Sequence, residues 1–339
     1  MISKISIFHS SSLSSYAKDV SKMATDSCIG AGAFLSSVYK ETMKKANWMM
    51  ENRGGLACVL GLVMVPSQLS CPGYKKSNKI IEKAAQSKGF TLEKFSLPVD
   101  GNTALRGVIY YPENWDPQDK SKCVLYHNPN GVTISGYLKE GELSWTPAEI
   151  VKLSNCPIIL YDYRGTGISS DKSGRSCLGF RATYESVVVD GEAALCHALQ
   201  SFSSVKVVGS SLGAGVATAS LDRHLTKKPE DSSKVALFNH DSFSTTPRVI
   251  FPYLPRIADA VGVVLGGMLD AATPMQNLIR KGIPITVLYH KQDPIIPKGS
   301  RMAEYVETLP RASNVSVIYS EEYGHANLSQ DLCLFLGKI

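Results

Sequence analysis

The sequence predicts a three-layer α/β domain: a mostly parallel, eight-stranded sheet flanked by helices, preceded by a helical extension and interrupted by an apolar cap. Three observations carry that prediction. Six short apolar runs, at residues 123–126, 157–161, 205–208, 234–238, 285–289 and 315–319, are nearly continuous in hydrophobicity, as strands covered on both faces must be. Stretches with the 3.6-residue apolar period of helices lie between them, at 183–202 and 297–309 among others. Two extended runs, 90–99 and 103–111, precede the series and are joined by Asp100-Gly101-Asn102, a turn sequence that makes them a hairpin. A hairpin followed by alternating strands and helices places helices on both faces of one sheet.

The elements follow in order. Residues 1–75 are rich in Ser, Ala, Met and Gly with loose helical patterning at 33–48, and are expected to form a helical, partly disordered extension. Its first 28 residues are Ser-rich without a continuous apolar core, so no secretory signal is expected. Residues 56–65, from Leu56 to Val65, are apolar but stop at Pro66, well short of the roughly 20 residues that span a bilayer. They are expected either to pack beneath the domain or to touch a membrane surface. The α/β domain is expected from 76 to 339. It opens with a helix around 79–85, stopped by Gly89. Thr146-Pro147-Ala148-Glu149 gives a later helix a capping box, with Pro at the first helical position. Residues 243–277 form a long insertion between the sixth and seventh strands, apolar and Gly-rich over 257–269. A lid over the site and an ordinary packed helix pair are both open readings, and a lid would favour an acyl chain.

Composition narrows the function. With 339 residues, 44% hydrophobic and 19% charged, the chain can bury a sizeable core. A formal charge of +6 is spread without a dense basic run, which argues against nucleic-acid binding. The 8 cysteines form no CxxC pair, so a zinc ribbon or dithiol site has no support, and buried free thiols suit a reducing, cytoplasmic-type compartment. Arg164-Gly165-Thr166-Gly167 lacks the ending of a phosphate loop, and no His, Cys or carboxylate cluster has metal-ligand spacing. No cofactor or metal is expected.

Val207-Val208-Gly209-Ser210-Ser211-Leu212-Gly213-Ala214-Gly215 sits between a strand and a helical stretch. It fits G-x-S-x-G with Ser211 at the centre; Ser210 would need glycine where Val208 stands. A sharp strand-to-helix turn lifts the central side chain clear of the sheet, and the helix start beyond it offers positive potential to a developing oxyanion. A small-residue turn alone would read the same way, so the partners decide. A serine hydroxyl needs a base, and the base an orienting acid. Asp293 lies in the loop after 285–289 and His325 in the loop after 315–319, at the strand ends where open α/β sheets build their sites. Ser211, Asp293 and His325 are the expected nucleophile, acid and base. Their chain order is that of an α/β-hydrolase.

On these residues the chain from about 90 to 339 resembles the α/β-hydrolase superfamily, and Tyr161-Asp162-Tyr163-Arg164-Gly165-Thr166-Gly167-Ile168-Ser169 looks like its loop after the fourth strand. Tyr126-His127-Asn128-Pro129-Asn130-Gly131 and the long extension are more narrowly similar to the CHLPS/SidB-like family of intracellular bacterial pathogens such as Chlamydia and Legionella. The resemblance implies a serine esterase or lipase-like enzyme acting through an acyl-enzyme, as a pathogen effector. It implies delivery into a host cell or peripheral membrane contact, with a small-molecule or lipid acyl substrate and a host partner left unnamed. In one respect the chain departs from the superfamily. Its members often carry His-Gly-x after the third strand, with the N–H of x in the oxyanion hole; here that residue is Pro129, which has no N–H. Leu212 is the expected first donor. Asn130 is the expected second, unless Asn128 and Asn130 only stabilise the turn. Asp241, after the sixth strand, is a rival for the acid. His127, His240 and His290 near strand ends read as structural. The competing reading is an effector of the same fold that works by binding a membrane or host protein, for which Pro129 argues slightly and an intact triad does not.

Overall fold

The computed structural model of the chain describes residues 74–88, 91–100, 103–130, 132–136, 154–169, 184–246, 249 and 269–325. The expected extension up to residue 73, the 56–65 stretch, the capping box at 146–149 and residues 250–268 of the expected cap lie outside them.

Eight strands form one sheet: β1 (Thr91–Asp100), β2 (Thr103–Tyr111), β3 (Cys123–His127), β4 (Ile158–Asp162), β5 (Val205–Ser210), β6 (Val235–His240), β7 (Ile285–Gln292) and β8 (Val315–Tyr323). Their order is β1-β2-β4-β3-β5-β6-β7-β8. β1 pairs antiparallel with β2, Asp100 opposite Thr103, so the hairpin expected there is present. β2 runs antiparallel to β4 and every later pairing is parallel. Pro98 is tolerated because β1 is an edge strand.

All residues of β3, β4 and β5 are buried. The pleat then sorts alternate residues to two cores. Cys123 and Leu125 meet Leu195, Val216 and Leu221 on one face, while Val124 and Tyr126 meet Ile81 and Ala85 on the other. The first face is covered by α2 (Tyr184–Ser201) and α3 (Leu212–Lys227), joined at one end by α4 (Ala272–Arg280) and α5 (Met302–Glu307); α1 (Tyr74–Lys88) covers the second. Cys123 and Cys156 are buried free thiols, as expected.

Two boundaries differ from expectation. The apolar runs end early, because each later strand continues through polar residues: β5 to Ser210, β6 to His240, β7 to Gln292 and β8 to Tyr323. The helix expected from 297 begins only at Met302. Before it, Ser300 N–H turns back to Pro297 O at 3.0 Å, and Ser300 O is claimed by Ser244 N–H at 2.7 Å. Of the expected insertion 243–277, residues 243–246 are held by the Phe243–Arg301 and Thr245–Asp270 bridges, and Ala272 onward belongs to α4, whose Met275 and Leu278 enter the core.

Asp162, at the end of β4, ties two loops together by accepting Ile134 N–H at 2.8 Å and Ile168 N–H at 2.9 Å. Burial pushes its carboxyl up to about 7, against the pull of those two donors. A folded-state pKa above the unfolded one favours the fold at low pH. The contribution is complete below about pH 4 and is lost as pH rises towards 7, a span worth on the order of 4 kcal/mol. Unfolding free energy measured in denaturant from pH 4 to 7 should therefore fall more steeply in the wild type than in Asp162→Asn. Parallel slopes would remove Asp162 as the cause.

Candidate active site

The elbow forms because β5 runs straight into α3. Ser211, between them, adopts φ 54° and ψ −121°, a strained backbone for a residue with a side chain. Its N–H donates to His240 O at 2.9 Å and its carbonyl accepts Ala214 N–H at 3.1 Å. The flanking glycines are there for space. A Cβ on Gly209 would stand 2.4 Å from Gly213 O, and one on Gly213 would stand 2.1 Å from His127 O. Ser211 is buried.

Asp293 and His325, the expected acid and base, follow the ends of β7 and β8. Asp293 N–H donates to His290 O at 3.1 Å. Its Oδ1 accepts Ile295 N–H at 2.6 Å and Ile296 N–H at 3.0 Å. That turn aims Oδ2 at His325 Nδ1, 2.7 Å away. With Nδ1 engaged, Nε2 is the nitrogen left to serve as a base. Asp293 and His325 are thus brought together. No hydrogen bond joins Ser211 Oγ to His325 or to any other described residue; such contacts commonly tighten only around substrate.

The expected oxyanion donors, Leu212 and Asn130, lie at the start of α3 and in the loop after β3. Leu212 opens α3, where the N–H groups of the first turn have no intrahelical acceptor. Asn128 is committed elsewhere: its Nδ2 donates to Tyr161 O at 2.7 Å and its carbonyl accepts Tyr163 OH at 3.0 Å. Asn130 is exposed.

The three histidines that read as structural near strand ends, His127, His240 and His290, are fully buried. His127 Nδ1 bonds Tyr161 OH at 2.7 Å, and burial holds its ring neutral, its pKa lowered to about 3. His240 Nδ1 lies 3.1 Å from Ser210 Oγ, which also accepts from Tyr126 OH at 3.2 Å. His290 Nδ1 bonds Asp241 Oδ2 at 2.7 Å. Asp241, the rival acid, therefore bonds a histidine of β7, while Asp293 bonds His325. Burial works to raise the Asp241 carboxyl, but the His240 and His290 imidazoles outweigh it and hold it well below the usual carboxylate range. Sequence reasoning missed this pairing; the signal available was His240-Asp241 standing at one strand end and His290 at the next. Two sets of ligand-type atoms, on His240, Asp241 and His290 and on Asp241, Asp293 and His325, each lie within 4.8 Å of one another. The Asp241–His290 and Asp293–His325 hydrogen bonds account for one pairing in each set, and the approach of Asp241 to the Asp293–His325 pair is bridged by neither.

No family model matches this chain, and no curated protein does either. Solved structures do. An α/β hydrolase from Vibrio vulnificus is similar with a TM-score of 0.57 at 14% identity, over 84% of this chain and 92% of that one. The esterase Pf2001 from Pyrococcus furiosus is similar with a TM-score of 0.50 at 13% identity, over 75% of this chain and 93% of that one. Identities this low carry architecture alone, and in architecture sheet order and likeness agree: this chain has the α/β-hydrolase fold.

Proposed function

We propose that the chain is a serine hydrolase cleaving an ester or related acyl compound. Ser211 attacks the carbonyl, His325 Nε2 takes its proton and returns it to the leaving group, and Asp293 orients His325 and stabilises its charged form. Water then hydrolyses the acyl-enzyme. Leu212 N–H and the Asn130 amide receive the oxyanion. The observation that carries this reading is the Asp293–His325 hydrogen bond of 2.7 Å, formed at the strand ends that also carry the strained Ser211. The esterase activity named for the Pyrococcus protein is in keeping with it. A small-molecule or lipid acyl group fits the apolar character of residues 257–269, and the CHLPS/SidB-like resemblance would make the enzyme a pathogen effector.

A second reading is a binding effector that keeps the fold and acts through residues 1–75, with 56–65 on a membrane or host protein. Pro129 in the oxyanion loop favours it. A fluorophosphonate probe separates the two. Under the first reading it labels the wild type and not Ser211→Ala; an unlabelled wild type would leave only the second.

A further inference from the structure

Strands β5 to β8 stand side by side in chain order and are followed, within two residues, by Ser211, Asp241, Asp293 and His325 respectively. The proposed reaction uses three of these. Asp241 is left over, yet it is fully buried. It sits at φ 47°, a left-handed conformation that Asp tolerates better than most residues, and its N–H donates to Leu288 O at 2.9 Å. Oδ1 accepts His290 N–H at 2.8 Å, and Oδ2 lies 2.7 Å from His290 Nδ1 and 3.2 Å from His240 Nε2. An Asp241 oxygen, an Asp293 oxygen and a His325 ring nitrogen fall within 4.8 Å of one another. A buried carboxylate is an expensive brace, since an amide or an apolar group fills the same space without charge desolvation.

We propose that Asp241 is a positioning residue of the triad: it clamps His290, from which the Asp293 turn hangs, and sets a second negative charge beside the Asp293–His325 pair. The inference rests on the hydrolase reading above. The clamp is visible in the backbone of His290, whose N–H is held by Asp241 and whose carbonyl is held by Asp293 N–H. The charge acts on the base, because a nearby carboxylate favours the imidazolium that His325 becomes as it takes the serine proton. The groups facing Asp241 are His240 from β6, His290 and Tyr289 from β7, Asp293 beyond it, and His325 after β8. Arg301 is the fixed cation nearby; it stacks on the Tyr289 ring at 4.4 Å and pairs with Glu304 at 3.6 Å.

The test is the pH profile of kcat/KM on p-nitrophenyl butyrate for wild type, Asp241→Asn and Asp241→Ser, each checked by thermal melt. Asn can keep the clamp, its oxygen on His290 N–H and its amide donating to Nδ1 of the other tautomer, while removing the charge. The expected result is an acid limb displaced to lower pH by on the order of one unit, with a plateau lowered no more than about tenfold. A folded variant whose limb stays in place overturns the proposal, even if its plateau drops. Failure of both variants to fold would assign Asp241 to the architecture and also overturn it. Ser211→Ala separates the two levels: if it turns over like the wild type, the hydrolase reading itself falls.

Discussion

Asp293→Asn should lower kcat by a factor on the order of 10⁴ while leaving KM and the melting temperature close to wild type. The reason lies in the direction of one proton. Asp293 Oδ2 accepts from His325 Nδ1 at 2.7 Å, which leaves Nε2 unprotonated to receive the serine proton. An amide in the same place can donate to Nδ1 instead, stabilising the tautomer with its hydrogen on Nε2, and that imidazole is no base. The turn should survive, because the Asn oxygen can still accept Ile295 and Ile296 N–H as Oδ1 does now at 2.6 and 3.0 Å. Steady-state hydrolysis of p-nitrophenyl butyrate beside a thermal melt checks both halves. A loss of that size in Asp241→Asn with little loss in Asp293→Asn would move the acid to the end of β6.

The second large effect concerns Gly213. A methyl group there would stand 2.1 Å from His127 O and 2.6 Å from Asn128 O, both backbone atoms that no rotamer change can clear. Either α3 retreats from the sheet or the loop after β3 is pushed outward. The second course strains the Asn128 Nδ2 bond to Tyr161 O and moves Asn130, the proposed oxyanion donor, with the loop. Gly213→Ala should therefore cost about 3 kcal/mol in denaturant unfolding. Esterase turnover should fall by about 10²–10³, the loss expected when an oxyanion donor is misplaced. Unfolding and turnover both at wild-type level would mean that the loop and helix can part at no cost.

The apolar runs and the turn sequence made the sheet legible, and G-x-S-x-G with later Asp and His loops made the candidate site legible. What could not be read was any feature set by partners distant in the chain. The run at 205–208 stops where hydropathy stops, yet the ladder goes on, pairing Gly209 with Asn239 and Ser210 with His240. These polar ends carry the site. Residues 297–301 have helical periodicity but are drawn off by Ser242 and Ser244, whose partners there are Met302 N–H and Ser300 O. The sequence left open whether Asn130 gives the second oxyanion donor or, with Asn128, only stabilises the turn. Tyr161, 33 positions on, takes the amide of Asn128. Asp241 was weighed as the acid because its place after β6 is local information, whereas its bond to His290 spans 49 positions.

The order β5-β6-β7-β8 also governs how the protein is made. β6, β7 and β8 each join the outer edge of the strand made just before, so the Ser211 turn can form long before His325 exists. Under the hydrolase reading, a chain still on the ribosome is chemically silent until residue 325 has emerged. The same sequence of additions leaves each newest strand, β6 and then β7, as a temporary open edge of apolar backbone, awaiting its neighbour and able to pair with another nascent chain. Closing that edge and completing the proposed triad are one event, the arrival of β8 and the loop behind it.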